Sequence, residues 1–147
     1  MLGFKSIIVE GADQQGKSEL CKQLANLTGF KIVHYGMPPQ GFDFHEDYIL
    51  EDGIIYDRNF LSEVVYARIR RQPCRVKRLE ALQHRMIANM TLLILCDRGS
   101  YFNFDDSRHE EYKEVQIEMA MNLYRRNYAN LIMSKMKFNP NTDKLCI

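Results

Sequence analysis

Gly11-Ala12-Asp13-Gln14-Gln15-Gly16-Lys17-Ser18 satisfies every fixed position of the pattern G-x-x-x-x-G-K-[ST], and its flanks restrict what the surrounding chain can become. The apolar run Ile7-Ile8-Val9 ahead of it predicts a buried strand, and Leu20, Leu24 and Leu27 behind it recur at helical spacing. The segment therefore turns a strand into a helix. In such a turn successive backbone N–H groups and the positive end of the helix dipole converge on the β-phosphate of a nucleoside triphosphate. Lys17 then reaches the β/γ oxygens and Ser18 can bind Mg²⁺. The expected ligand is a nucleoside triphosphate with Mg²⁺, held by Gly11, Asp13, Gln14, Gln15, Gly16, Lys17, Ser18 and Glu19. The motif implies binding of a triphosphate and leaves open what receives a phosphoryl group.

The 147 residues suffice for one domain, 1–147, that buries about two thirds of its unfolded surface. A net charge of +1 gives no global field toward nucleic acid or a membrane, so phosphate affinity has to be local. Cys21, Cys74, Cys96 and Cys146 form no C-x-x-C pair and sit mostly in apolar runs, which predicts small buried thiols in a reducing compartment. His34, His45, His84 and His109 lack the i, i+4 spacing of a zinc helix and read as surface or core residues. The longest apolar stretch, 91–96, is too short for a bilayer and the N-terminus has no signal-type segment, so a cytoplasmic location without membrane contact is expected.

Five runs read as strands: 5–10, 31–35, 53–57, 91–97 and 144–147. Helical patterns alternate with them. The first, 17–27, stops at Thr28-Gly29. Asn59 is a suitable N-cap for a second, in which Leu61, Val65 and Arg68 or Ile69 share a face, and Pro73 forces its end. A third carries the stripe Val76, Leu79, Leu82, Met86 and Met90. A long helix over 110–136 places Tyr112, Val115, Met119 and Leu123 together. Strands apolar on both faces and alternating with helices predict a three-layer α/β fold: a five-stranded parallel sheet with helices on both faces.

In such sheets ligands gather beyond the carboxyl ends of the strands, which singles out Asp13, Tyr35-Gly36, Asp57-Arg58 and Asp97-Arg98. Asp57-Arg58 ends the apolar run Ile54-Ile55-Tyr56. A phosphoryl transferase needs a carboxylate there, to organise Mg²⁺ through water or accept a proton. It also needs a guanidinium fork, to hold an acceptor phosphate in line with the γ-phosphate. The alternative is a structural Asp-Arg pair capping the following helix.

Ile8-Val9-Glu10-Gly11-Ala12-Asp13, Gly16-Lys17-Ser18, and Asp57-Arg58 followed by Ser62 and Tyr66 resemble the thymidylate kinase group of P-loop nucleotide kinases, especially its short phage-type members. The resemblance extends to Leu93-Ile94-Leu95-Cys96-Asp97 as the strand before a lid and Glu110-Glu111-Tyr112 opening the long helix. It implies the P-loop NTPase fold and transfer of the γ-phosphoryl of ATP to a deoxynucleoside monophosphate. Among the residues it implies, Asp13 lies near the acceptor sugar, Arg58 binds the acceptor phosphate, and Tyr66 lines the base pocket. Arg98 or Arg108 acts from a short lid over 98–109. With Lys17, Asp57 and Arg58, these arginines form the expected catalytic set; Ser18 and Asp57 form the metal set.

Three departures leave the acceptor open. Tyr66-Ala67 stands where the family pattern has Tyr-Gln, whose glutamine reads thymine. Only about twenty residues separate the second strand from Asp57. The chain stops at Ile147, so the adenine is expected to be held loosely or by a second subunit, as in a homodimer. Six of the eleven residues 68–78 are Arg or Lys, which suits a solvated helix end, an acceptor-phosphate contact by Arg68 or Arg71, or a nucleic-acid patch. Met37-Pro38-Pro39 followed by Phe42, Phe44 and Tyr48 reads equally as an acceptor wall or a satellite core. Two alternatives therefore stand beside the monophosphate kinase: a kinase of a deoxynucleoside or polynucleotide 5′-hydroxyl, and an ATP-binding regulatory module without turnover.

Overall fold

A continuous apolar run forms a strand only where both its faces are covered, and Ser6–Glu10 is buried along its whole length. The computed structural model describes residues 3–12, 16–34, 50–74, 79–97, 109–126, 131–135, 137–139 and 144–146. Along the chain these give β1 (Ser6–Glu10), α1 (Lys17–Thr28), β2 (Lys31–His34), β3 (Ile54–Asp57), α2 (Phe60–Ile69), α3 (Leu79–Ala88) and β4 (Thr91–Asp97). They continue with α4 (His109–Arg126), β5 (Leu131–Lys135), β6 (Lys137–Asn139) and β7 (Lys144–Cys146). The main sheet has the order β2-β3-β1-β4-β5 and every pairing in it is parallel. In register, Val9 of β1 lies between Asp57 of β3 and Ile94 of β4.

Alternation along the strands divides the core in two. Ile8, Ile54, Tyr56, Leu93 and Leu95 face α2, α3 and α4, meeting Phe60, Leu61, Val65, Met86, Tyr112, Val115, Met119 and Leu123. Ile7, Val9, Ile55, Leu92, Ile94 and Cys96 face α1 through Leu20, Cys21 and Leu24. At about 1.5–3 kcal/mol for each large apolar side chain buried in full, these two layers dominate the favourable side of folding. Among the described residues, one helix packs against the second face. The helix following β1 thus lies on the opposite side from those following both its neighbours, the arrangement beside which ligands bind at the carboxyl ends of such strands.

Local signals set the helix ends. Asn59 accepts a hydrogen bond from the Phe60 N–H at 2.6 Å, opening α2. Gly29 closes α1 at φ 75°, its N–H reaching the Ala25 carbonyl at 2.8 Å. At the amino ends of β1 and β4 the buried hydroxyls of Ser6 and Thr91 satisfy each other at 2.8 Å.

The structure departs from the sequence pattern in several places. The helix expected over 110–136 ends at Arg126, and Leu131–Lys135 pairs with β4 as the second edge of the sheet. A short apolar run such as Leu131-Ile132-Met133 fits helix or strand equally by periodicity, and pairing decides between them. The run over 144–147 does not enter this sheet; Lys144–Cys146 pairs antiparallel with β6. Leu27 is 69% exposed, because the last turn of α1 lies by the open edge strand β2, where Lys31, Val33 and His34 are exposed as well. Met90 falls beyond α3 in a turn at φ 52° and is exposed. Cys21 and Cys96 are buried as expected, but Cys74 is exposed, since the chain leaves the core after α2. No helix among the described residues is long and apolar enough to cross a membrane.

Truncating Ile55, fully buried against α1, to alanine is expected to lower unfolding free energy by about 2–5 kcal/mol. Leu27→Ser should change it by less than about 0.5 kcal/mol. Urea unfolding followed by circular dichroism checks both.

Candidate active site

At the end of β1 the backbone turns at Gly11 with φ +150°, and a Cβ there would sit 2.7 Å from the Cys96 carbonyl oxygen of β4. Glycine is required on both counts: conformation and close approach. Gly16, at φ 85°, precedes Lys17, the first residue of α1. The Lys17 ammonium is buried and donates to the Ala12 carbonyl at 2.9 Å, so the lysine folds back along its own loop. Ser18 is exposed and Glu19 half-buried in that first turn.

Burial lowers the Lys17 pKa below its ordinary 10.5, and the carboxylates of Asp57 and Glu10 oppose the shift. Asp57, at the end of β3, is itself buried; one oxygen meets His34 Nδ1 of β2 at 2.7 Å. Its other oxygen, Oδ1, is buried without a hydrogen-bond partner among the described residues. The His34 side chain is 68% exposed, so the pair runs from solvent inward to the phosphate loop.

Arg58 adopts the left-handed conformation at φ 69°, which costs a non-glycine residue about 1 kcal/mol or more. Two straps hold it. Its N–H donates to the Val9 carbonyl at 3.0 Å, and the next N–H, that of Asn59, donates to Glu10 Oε1. Ser62 Oγ reaches the same Glu10 oxygen at 3.3 Å. Glu10 is thereby a buried carboxylate tying β1 to the start of α2. Burial pushes its pKa from 4.5 up to about 7, against the Asn59 hydrogen bond, the Arg58 charge and the Ser62 contacts.

The Arg58 guanidinium lies 5.6 Å from the centre of the Tyr66 ring, and that of Arg70 lies 4.7 Å from the same ring. The Tyr66 hydroxyl is buried with no hydrogen-bond partner among the described residues. Arg70 also meets Glu111 of α4 at 2.8 Å, and Arg68 meets Glu118 at 3.3 Å. The described part of the basic run thus engages α4 carboxylates, which accords with a surface helix end; Arg71 is exposed. Arg75, Lys77 and Arg78 lie outside the described residues, as do Asp13, Gln14 and Gln15 of the loop, the 35–49 segment, and Arg98 and Arg108.

The structure brings Gly11, Gly16, Lys17, Asp57 and Arg58 to one set of strand ends, with Tyr66 about two helix turns along α2. It adds Glu10, His34 and Gln116, to which the sequence reading gives no site role. Glu10 did leave a signal, as a carboxylate closing an apolar strand. His34 lies opposite Asp57 through the pairing of β2 with β3, a placement that the spacing of the four histidines does not report. Gln116, half-buried on α4, left none.

The parallel sheet, with the pattern G-x-x-x-x-G-K-[ST] lying between its central strand and α1, is an α/β arrangement that matches the fold of P-loop NTPases. Among solved structures, the YorR protein from Bacillus subtilis, in complex with phosphorylated GDP, matches with a TM-score of 0.66 at 17% identity. The match covers 88% of this chain and 84% of that one. Thymidylate kinase from Ehrlichia chaffeensis matches with a TM-score of 0.50 at 14% identity, over 95% of this chain and 90% of that one. These likenesses establish a shared fold. No protein-family model and no curated protein sequence matches the chain.

With the Glu10 pKa raised in the folded state, the native chain keeps a proton that the unfolded chain releases between about pH 4.5 and 7. This contribution to stability is complete below pH 4.5 and is lost as pH rises through about 7, on the order of 3 kcal/mol in all. Glu10→Gln keeps an oxygen for the Asn59 N–H and removes the titration. Thermal unfolding from pH 5 to 8 should show the variant gaining stability relative to the parent as pH rises.

Proposed function

We propose that this chain is a P-loop nucleotide kinase that transfers the γ-phosphoryl of ATP to a deoxynucleoside monophosphate, with thymidylate the leading acceptor. The observation that carries the reading is the convergence of Lys17 and the Asp57-Arg58 pair at adjacent strand ends, with Arg58 fixed in a conformation it would not adopt unaided. A site for triphosphate binding alone has no use for a second cationic residue, Arg58, held in a strained conformation at the neighbouring strand end. A phosphoryl transferase does, because its catalysis consists of positioning and of charge stabilisation on the transferring group.

In this reading Lys17 leaves the Ala12 carbonyl for the β/γ oxygens, Arg58 holds the acceptor phosphate, and Tyr66 lies beside the acceptor base. Asp13 is assigned to the acceptor sugar, and Arg98 or Arg108 to the lid that closes over the transferring group. Ser18 hydroxyl and the unpartnered Asp57 oxygen are hard oxygen donors of the kind Mg²⁺ takes, and these two residues would hold it. When bound, Mg²⁺ supplies neutralisation of triphosphate charge.

The test is ADP release over a panel of deoxynucleoside and ribonucleoside monophosphates. Guanine nucleotides are included because YorR holds one; nucleosides and a 5′-hydroxyl oligonucleotide complete the panel. Acceptor-dependent ADP with a monophosphate is expected, and Lys17→Ala should lower it by about a hundredfold or more. Transfer only to hydroxyl acceptors would move the substrate class; tight Mg·ATP binding with no transfer to any acceptor would replace the enzyme with a binding module.

A further inference from the structure

The phosphate loop is held from a helix that contributes nothing to its sequence motif. Gln116, in the middle of α4, accepts a hydrogen bond from the Ala12 N–H through Oε1 at 3.0 Å and donates one to the Cys96 carbonyl through Nε2 at 2.9 Å. One primary amide thus joins the loop, 104 residues away in sequence, to the end of β4, 20 residues away. Only a side chain carrying a donor and an acceptor on one short, planar group can make both contacts.

What it joins matters. Ala12 is the residue whose carbonyl receives Lys17 Nζ, and Cys96 is the residue whose carbonyl presses against Gly11. The first turn of the loop is therefore fixed on three sides: by close approach to β4 at Gly11, by Gln116 at the Ala12 N–H, and by Lys17 at the Ala12 carbonyl. Under the kinase reading, Lys17 is drawn off to phosphate oxygens when nucleotide arrives. Its bond to Ala12 is then lost, and the Gln116 clasp stays. The neighbours of Gln116 on α4, Tyr112, Val115 and Met119, are locked in the core, so the amide is presented from a rigid element.

We infer that Gln116 is a positioning residue for the triphosphate: it pre-orders the phosphate loop for nucleotide and acts on ATP rather than on the acceptor. This inference rests on the proposed phosphate-binding role of the loop and extends it to a residue outside any motif. A purely structural role would lower the melting temperature and leave nucleotide affinity unchanged in the folded molecules. A positioning role separates the two substrates.

The experiment compares the parent with Gln116→Met, which keeps length and volume and removes both hydrogen bonds. ADP affinity is measured by calorimetry, and KM for ATP and for the acceptor by ADP release. ADP affinity should fall and KM for ATP rise about tenfold, with acceptor KM within about twofold of the parent. Where the Met variant fails to fold, Gln116→Asn, which retracts the same amide by one methylene, should weaken ADP binding in the same direction. Parent-like ADP affinity in a folded variant overturns the inference, and so does an equal rise in both KM values. Calorimetry keeps this outcome distinct from failure of the kinase reading, which would show as absent acceptor-dependent turnover in a parent that binds ADP.

Discussion

Three ionisable groups, Glu10, Lys17 and Asp57, are taken out of water at the carboxyl end of the central strand, and the rest of the site is arranged around the cost of doing so. A lone buried charge costs several kcal/mol, and mutual attraction compensates only when the geometry and remaining hydrogen bonds are good. Here the compensation is divided. Lys17 uses a loop carbonyl, Asp57 uses His34, and Glu10 uses the amino end of α2. Two buried oxygens, Glu10 Oε2 and Asp57 Oδ1, are left without hydrogen-bond partners among the described residues. Folding alone would favour apolar side chains at these positions, so their presence is an argument for chemistry at this end of the sheet.

The backbone is shaped to the same purpose. Gly11 allows the loop to lie against β4, and the left-handed Arg58 is tied to β1 by its own N–H and by Glu10. Both distortions sit at the carboxyl ends of adjacent strands, and both are held by partners on neighbouring strands or helices. The sheet's two apolar layers supply the stability that such strain draws down.

Much of this was legible in the sequence because local and long-range signals agree there. Ile7-Ile8-Val9 is apolar on both faces since β1 is central, and the glycines and lysine that follow are required by the turn itself. The stripe Tyr112, Val115, Met119 and Leu123 is buried as its spacing implies. What escaped was set by tertiary pairing. Leu131-Ile132-Met133 prolongs a helical pattern but is recruited by the edge of β4. His34 gains its place only because β2 registers with β3 so that it lies opposite Asp57. Gln116 occupies an ordinary helical position whose partners are 104 and 20 residues distant, and no periodicity reports such a contact.

The central claim is that one set of strand ends holds a triphosphate at Lys17 and an acceptor phosphate at Arg58 at the same time. Calorimetric titration with a bisubstrate analogue, adenosine and thymidine joined through their 5′ positions by a pentaphosphate, tests this most directly. Simultaneous occupancy should make it bind about a hundredfold or more tighter than ADP, the second contact being intramolecular. Affinity no better than that of ADP would contradict a paired site.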